Sequence, residues 1–231
     1  MFAQNYGYAK AEDPLVLGVK SAIGHARAER WEALDEAIAS LDWQIKELRE
    51  DIGVDLEPVI RKAVESRKFD KIAYAITQLV YQAFVQKLHW NEKEKLERYV
   101  PARARLDAAQ FYYEEILSHA VRRADQSQKE QRHREVLRRM RKLRSTLGSP
   151  GLFGVGKREP DLAKFRTLAG ETVTLLRAVY PDFLKGKSSP GKSNAKPDRP
   201  ASTPKEDAPK ETPPEKGEVS PPAGEGEDAR E

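Results

Sequence analysis

The feature that most constrains this chain is a helical pattern that occurs twice at a constant offset of 38 residues. Residues 28–44 read AERWEALDEAIASLDWQ, and residues 66–82 read SRKFDKIAYAITQLVYQ. With Trp31 set against Phe69, the pairs Ala37/Ala75, Ile38/Ile76, Leu41/Leu79 and Gln44/Gln82 are identical. Trp31/Phe69, Glu32/Asp70, Leu34/Ile72 and Trp43/Tyr81 are similar. A period of this length fits one helix–turn–helix unit stacked on its copy, because neither unit buries its apolar face alone. The expected fold is all-α, an antiparallel helical bundle built partly from a duplicated helix–turn–helix hairpin.

The apolar spacing fills in the other elements. Asp13 before Pro14 predicts an N-cap and a first helical position, with a helix to about Ala26. From near Ala28, Trp31, Leu34, Ile38, Leu41, Ile45, Leu48 and Ile52 recur in alternating steps of three and four, a heptad seam that Gly53 is placed to end. Asp55 and Pro58 open a short third helix that ends near Ser66. The fourth, from Phe69 or Asp70 towards Tyr99, is apolar over so wide an arc that it belongs at the centre of the bundle. Pro101 starts a long stretch with Leu106, Ala109, Tyr113, Leu117 and Val121 inward; its polar part, 125–134, is either an exposed helix or a break. Apolar spacing resumes at Val136, Met140, Leu143 and Leu147. Pro160 opens a last helix carrying Leu162, Phe165, Leu168, Leu176 and Val179, closed by Pro181. No segment sustains the alternation of a strand, so no sheet is expected.

The C-terminal part has a different composition. Residues 186–231 hold nine prolines, ten acidic and eight basic residues, and Val219 is their only branched aliphatic one. Ordering such a segment costs roughly 1–2 kcal/mol per residue with almost nothing to bury, so it is read as a disordered Pro/Glu/Lys-rich tail. The expected organisation is an N-terminal extension over 1–13, a helical bundle over 14–185 and the tail over 186–231. The chain has 41 basic and 37 acidic residues; without the tail's 8 and 10, the rest has 33 and 27. Much of that excess lies in residues 122–144, which open at Arg122, close at Arg144 and hold ten Lys/Arg against three Asp/Glu.

Cysteine is absent, which excludes disulfides, thiolate metal sites and iron–sulfur clusters. No run of 18 apolar residues is present to span a membrane as a helix. The N-terminal MFAQNYGYAKAEDP has neither the basic nor the apolar region of a signal peptide. Phe2-Ala3-Gln4 before a polar stretch nevertheless resembles the end of one, as a start assigned too far downstream would leave it. A periplasmic or exported protein is the expectation, with a cytoplasmic one as the alternative.

Four motifs invite a chemical reading. Gly151 to Lys157 has the G-x4-G-K spacing of a phosphate-binding loop. Arg158 stands where such a loop needs Ser or Thr for magnesium, and a basic helix precedes it instead of a strand, so a helix–helix connector with Leu152 and Phe153 in the core is expected. His89 and Glu92, and Glu115 and His119, each share a helix face. Were the two helices to face each other, the four would converge as ligands for a metal; the same spacing equally makes surface i,i+3 and i,i+4 pairs. In the basic stretch, Arg132, Arg134, Arg138, Arg139, Arg141 and Lys142 could bind phosphates, an acidic protein or an anionic surface. The aromatics Trp43, Tyr74, Tyr81, Phe84, Trp90, Tyr112 and Tyr113 could line a ligand pocket or simply fill the core.

Residues 30–41 and 68–79, each an aromatic, an acidic residue and then AIxxL, followed by a Tyr-rich helix over 102–124, resemble the helical periplasmic domains of the iron-permease-associated and imelysin-like type. The resemblance implies a helical periplasmic fold. The R-E-x-x-E ligand motif of iron permeases is not met, since Arg49-Glu50, Arg134-Glu135 and Arg158-Glu159 all lack the second Glu, so iron ligands are not carried over to any residue. No nucleophile–base–orienter set is visible. The sequence is therefore read as a non-enzymatic interaction or scaffold protein that docks a protein partner through its basic helix, with no cofactor assigned. Alternatives are a metal or small-ligand carrier, and a nucleic-acid-binding protein that uses the basic stretch.

Overall fold

The computed structural model describes residues 13–124, 129–151 and 155–180. Among them regular structure is helical, with one isolated bridge pair and no strand. The extension before Asp13, Leu152 and Phe153, Pro181 and the tail expected over 186–231 lie outside the described residues. The bundle belongs to the first of two units, Met1–Pro190; the second, Gly191–Glu231, lies wholly outside the described residues. No helix of the described residues is long and apolar enough to cross a membrane.

Helix α1 (Pro14–Arg27) starts as the Asp-Pro pair predicts, with the Asp13 carboxylate accepting from the Val16 amide at 3.1 Å. It turns through Glu29, at a positive φ of 55°, into α2 (Trp31–Ala39). A like turn occurs 38 residues further on, where α4 (Glu57–Glu65) passes through Arg67, φ 47°, into α5 (Phe69–Lys93). Amide bonds from Ala28 to Gly24 and Glu29 to Ala26 are matched by Ser66 to Lys62 and Arg67 to Val64. The turns also cover one another's aromatics. The Arg27 guanidinium lies 5.3 Å from the Phe69 ring centre, and that of Arg67 lies 5.6 Å from the ring of Trp31.

Beyond the turns the two segments diverge. The single seam helix expected from Ala28 to Gly53 breaks at Ser40 and Leu41 into α2 and α3 (Asp42–Ile52). The Ser40 hydroxyl bonds back to the Ala37 carbonyl at 2.6 Å, and the Leu41 amide reaches only three residues back, to Ile38. Leu41 is fully buried against Gly18, where a Cβ would come within 2.6 Å of Leu41 Cδ2. Close passage of α1 over this bend thus depends on a glycine. The equivalent residues of α5, Gln78 and Leu79, continue the helix unbroken. Gly53, φ 68°, ends α3 as expected.

Helix α5 takes the central place its wide apolar arc predicts, packing on α1, α3, α4 and, later in the chain, residues 99–117 and 162–177. It ends at Lys93, short of the expected Tyr99, because the chain reverses through Lys95 and Leu96 at φ 51° and 60°. A left-handed Leu costs about 1–2 kcal/mol. Burial of Leu96, a two-pronged Arg105–Glu94 pair with both bonds at 2.7 Å, and a bond from Asn91 to the Ala102 carbonyl at 2.9 Å hold it there. Helix α6 (Tyr99–Tyr112) begins before Pro101, widens into a π turn (Tyr113–Leu117) and narrows again into α7 (Ser118–Ala124).

Helix α8 (Lys129–Ser145) starts within the polar part of the sequence, beyond residues 125–128, which are not described. The connector after it closes through paired backbone bonds between Ser149 and Arg158, with Gly148, Gly151 and Gly156 all at positive φ. Helix α9 (Leu162–Arg177) takes Asp161, not Pro160, as its cap. Past its end, the Tyr180 hydroxyl donates to the Leu117 carbonyl of the π turn at 2.9 Å.

Arg105 is buried, and its hydrogen bonds hold the Glu94 carboxyl below its ordinary pKa. Replacing Glu94 with Gln is expected to cost about 2 kcal/mol of stability at neutral pH, read from the urea midpoint. The contribution of this pair is complete above the unfolded carboxyl value and fades as pH falls through the depressed folded value. The wild type should therefore lose more stability than Glu94→Gln on acidification across that window.

Candidate docking face on α8

The basic helix is held by a narrow apolar stripe. Val136, Met140 and Leu143 are buried, and Leu147 beyond the helix end continues their three-and-four spacing. With the stripe inward, most of the charge points outward: Arg134, Arg138, Arg141 and Lys142 are exposed, while Arg132, Arg139 and Arg144 are half-buried. Two of the half-buried arginines tie α8 to its neighbours. Arg139 reaches Glu135 on its own helix and Glu171 of α9 at 3.1 Å, and Arg144 pairs with Asp107 of α6 and donates to Gln110 at 3.2 Å. The six residues proposed for partner or anion binding thus divide, with Arg139 serving the fold. Arg138 pairs with Glu135 at 2.6 Å, whereas Arg141 and Lys142 have no ion pair among the described residues.

Beside this face runs an open groove of about 720 Å³. Gln110 of α6 and Glu114 of the π turn form one wall, bonded to each other at 2.7 Å. Arg134, Glu135, Leu137, Arg138 and Arg141 of α8 form most of the other. The charge run is legible in the sequence; the opposing wall is not, because it comes from a segment that reads as ordinary core helix.

Sequence reasoning also passed over His133, which joins the two sides. Its Nδ1 lies 2.9 Å from the Tyr113 hydroxyl and its Nε2 lies 3.0 Å from Arg122 Nη2. The rings of Tyr113 and His133 stack with centres 5.6 Å apart. Burial, then the Arg122 charge, pushes the imidazole pKa down, and burial pushes the Tyr113 hydroxyl up.

The proposed metal ligands are placed apart from such a role. His89 and His119 are exposed on the surface. Glu92 is bonded to Arg166 of α9 at 2.8 Å, and Glu115 to Lys20 of α1 at 2.5 Å. No group of three or more His, Asp or Glu with the makings of a metal site occurs among the described residues. Of the aromatics proposed to line a pocket, Tyr81, Phe84, Tyr112 and Tyr113 are buried in the core, Tyr74 and Trp90 are half-buried and Trp43 is exposed.

Comparisons with protein-family models, with curated proteins and with solved structures give no match. The likeness to the iron-permease-associated and imelysin-like domains therefore rests on the residues quoted for it alone.

If the stripe anchors α8 and the arginines serve its outer face, the two sides should respond differently to truncation. Met140→Ala is expected to lower stability by about 2–4 kcal/mol and Arg141→Ala by less than about 0.5 kcal/mol, compared by urea denaturation.

Proposed function

We propose that this chain is a non-enzymatic docking protein whose α8 face receives an acidic segment of a partner protein. The observation that carries this reading is the spacing of Arg134, Arg138 and Arg141 along one wall of the groove. They stand at i, i+4 and i+7, about 6 Å and then about 4.5 Å apart along the axis. A partner carboxylate can take a two-pronged bond from Arg141, and others at matching intervals can meet the charges of Arg134 and Arg138, the latter alongside its pair with Glu135. The helix that presents them is fixed by its own apolar stripe and by its pairs to α6 and α9, so little ordering is required when a partner arrives.

The lining favours an acidic peptide over a nucleic acid. Glu114 and Glu135 lie among the arginines, and Leu137 contributes apolar surface. A continuous phosphate backbone would meet both carboxylates, whereas a peptide can set uncharged side chains opposite them. No aromatic side chain lines the groove to stack a base. The bundle behind it is read as an antiparallel array whose first four helices and α5 carry a duplicated unit, supported by the matching turns at Glu29 and Arg67.

Fluorescence anisotropy with a labelled Glu-rich peptide and with a DNA duplex of equal charge tests this. The full chain should bind the peptide in preference, and the pair Arg138→Gln with Arg141→Gln should weaken binding about tenfold with the fold intact by circular dichroism. Unchanged peptide affinity in the double variant would rule out this face. Tighter binding to the duplex, falling steeply with salt, would replace the reading with nucleic-acid binding.

A further inference from the structure

The chain Tyr113–His133–Arg122 admits only one protonation pattern. A guanidinium has donors and no acceptor, so His133 Nε2 must accept from Arg122. A neutral imidazole with Nε2 bare carries its proton on Nδ1, which then donates to the Tyr113 oxygen. The ring is thus a neutral bridge between α8 and the two elements across from it, the π turn and α7. A second proton would place an N–H against the Arg122 N–H and a positive charge against its guanidinium.

The surroundings leave little to offset that change. From the π turn, Glu114 faces the ring with an opposing charge that burial and the Arg122 charge together outweigh. From α7 the facing group is Arg122. The acidic residues that α6 and α9 present to α8, Asp107 and Glu171, are held by Arg144 and Arg139 further along the helix. Tyr113 is fully buried, so the bridge cannot slide to a new position without opening the contact.

We propose that Tyr113, His133 and Arg122 form an acid-released latch, which holds the N-terminal half of α8 against the π turn and α7 until His133 takes a second proton. Release frees the groove wall that carries Glu114 from the arginine wall, and the imidazolium adds a cation to α8. Both changes favour an acidic occupant, while the pairs of Arg139 with Glu171 and Arg144 with Asp107 keep the rest of α8 in place. The regulatory part of this inference rests on the docking reading above; the latch itself does not.

Two measurements on the full chain separate them. The first follows the His133 ring by NMR, and the amides of residues 133–137 by hydrogen exchange corrected for intrinsic rate, between about pH 7.5 and about pH 5. His133 should titrate below its ordinary value of 6.5. Protection of those amides should fall about tenfold on acidification, and His133→Gln, which stays neutral, should abolish the fall. A ring that titrates at or above the ordinary value, or protection that falls equally in the variant, overturns the latch. Should His133→Gln not fold, Arg122→Gln serves instead: it should raise the His133 pKa and shrink the acid response, and no change in either overturns the latch. The second measurement is affinity for the Glu-rich peptide, expected to rise about fivefold at the lower pH in wild type only. If the latch titrates and the peptide binds at neither pH, the latch stands and the docking reading falls.

Discussion

The burial of α5 on nearly all sides is the constraint on which the described structure depends. Residues 78–84 of this helix are all buried, because α1, α3, α4, α6, the π turn and α9 pack around it. A helix enclosed in this way must satisfy its polar side chains from within the protein. Gln86 accepts from Gln44 of α3 at 3.1 Å and donates to Asp51 at 2.5 Å, while the Trp90 indole donates to the same carboxylate at 2.8 Å. This chain fixes the rotation of α3 against α5 far more sharply than apolar packing alone, since a slip of either helix would strand several buried groups at once. At the same end, burial pushes the Lys87 ammonium pKa down and the Glu47 carboxyl up, signs of charge held in a poorly solvated place.

What the sequence made legible was periodicity. The central position of α5, the Asp13 cap, the Gly53 stop and the inward stripe of α8 all follow from the spacing of a few residues within one segment. What it concealed was set by contacts between segments. The bend at Ser40 and Leu41 interrupts a seam that reads as continuous because Gly18, on another helix, admits Leu41. The early end of α5 depends on Arg105, which the local pattern gives no reason to place against Glu94.

The candidate site divides along the same line. The outward charge of α8 is visible as a run of arginines, but the groove needs Gln110 and Glu114, and the His133 bridge joins residues 20 apart to one side and 11 to the other. His133 reads in isolation as one more histidine in a charged stretch. The reverse holds for His89, Glu92, Glu115 and His119. Their spacing suggests ligation, yet Arg166 and Lys20, which take the two carboxylates, come from helices the spacing does not involve.

The π turn has a further consequence for phase. Ala109, Tyr113, Leu117 and Val121, fully buried in sequence, follow one another in steps of four. On a regular α-helix each such step overshoots a full revolution by about 40°, so three of them would carry the stripe roughly a third of the way around the axis. The wider π geometry absorbs that overshoot where Tyr113–Leu117 lie. Were the same residues to close as ordinary α-helix, each would turn further about the axis, and α7 would rotate relative to α6. Arg122 would be carried away from His133, and the Leu117 carbonyl away from Tyr180. The widened turn therefore works as a fixed angular offset in one long helical stretch, letting its first half face α5 while its second half addresses α8.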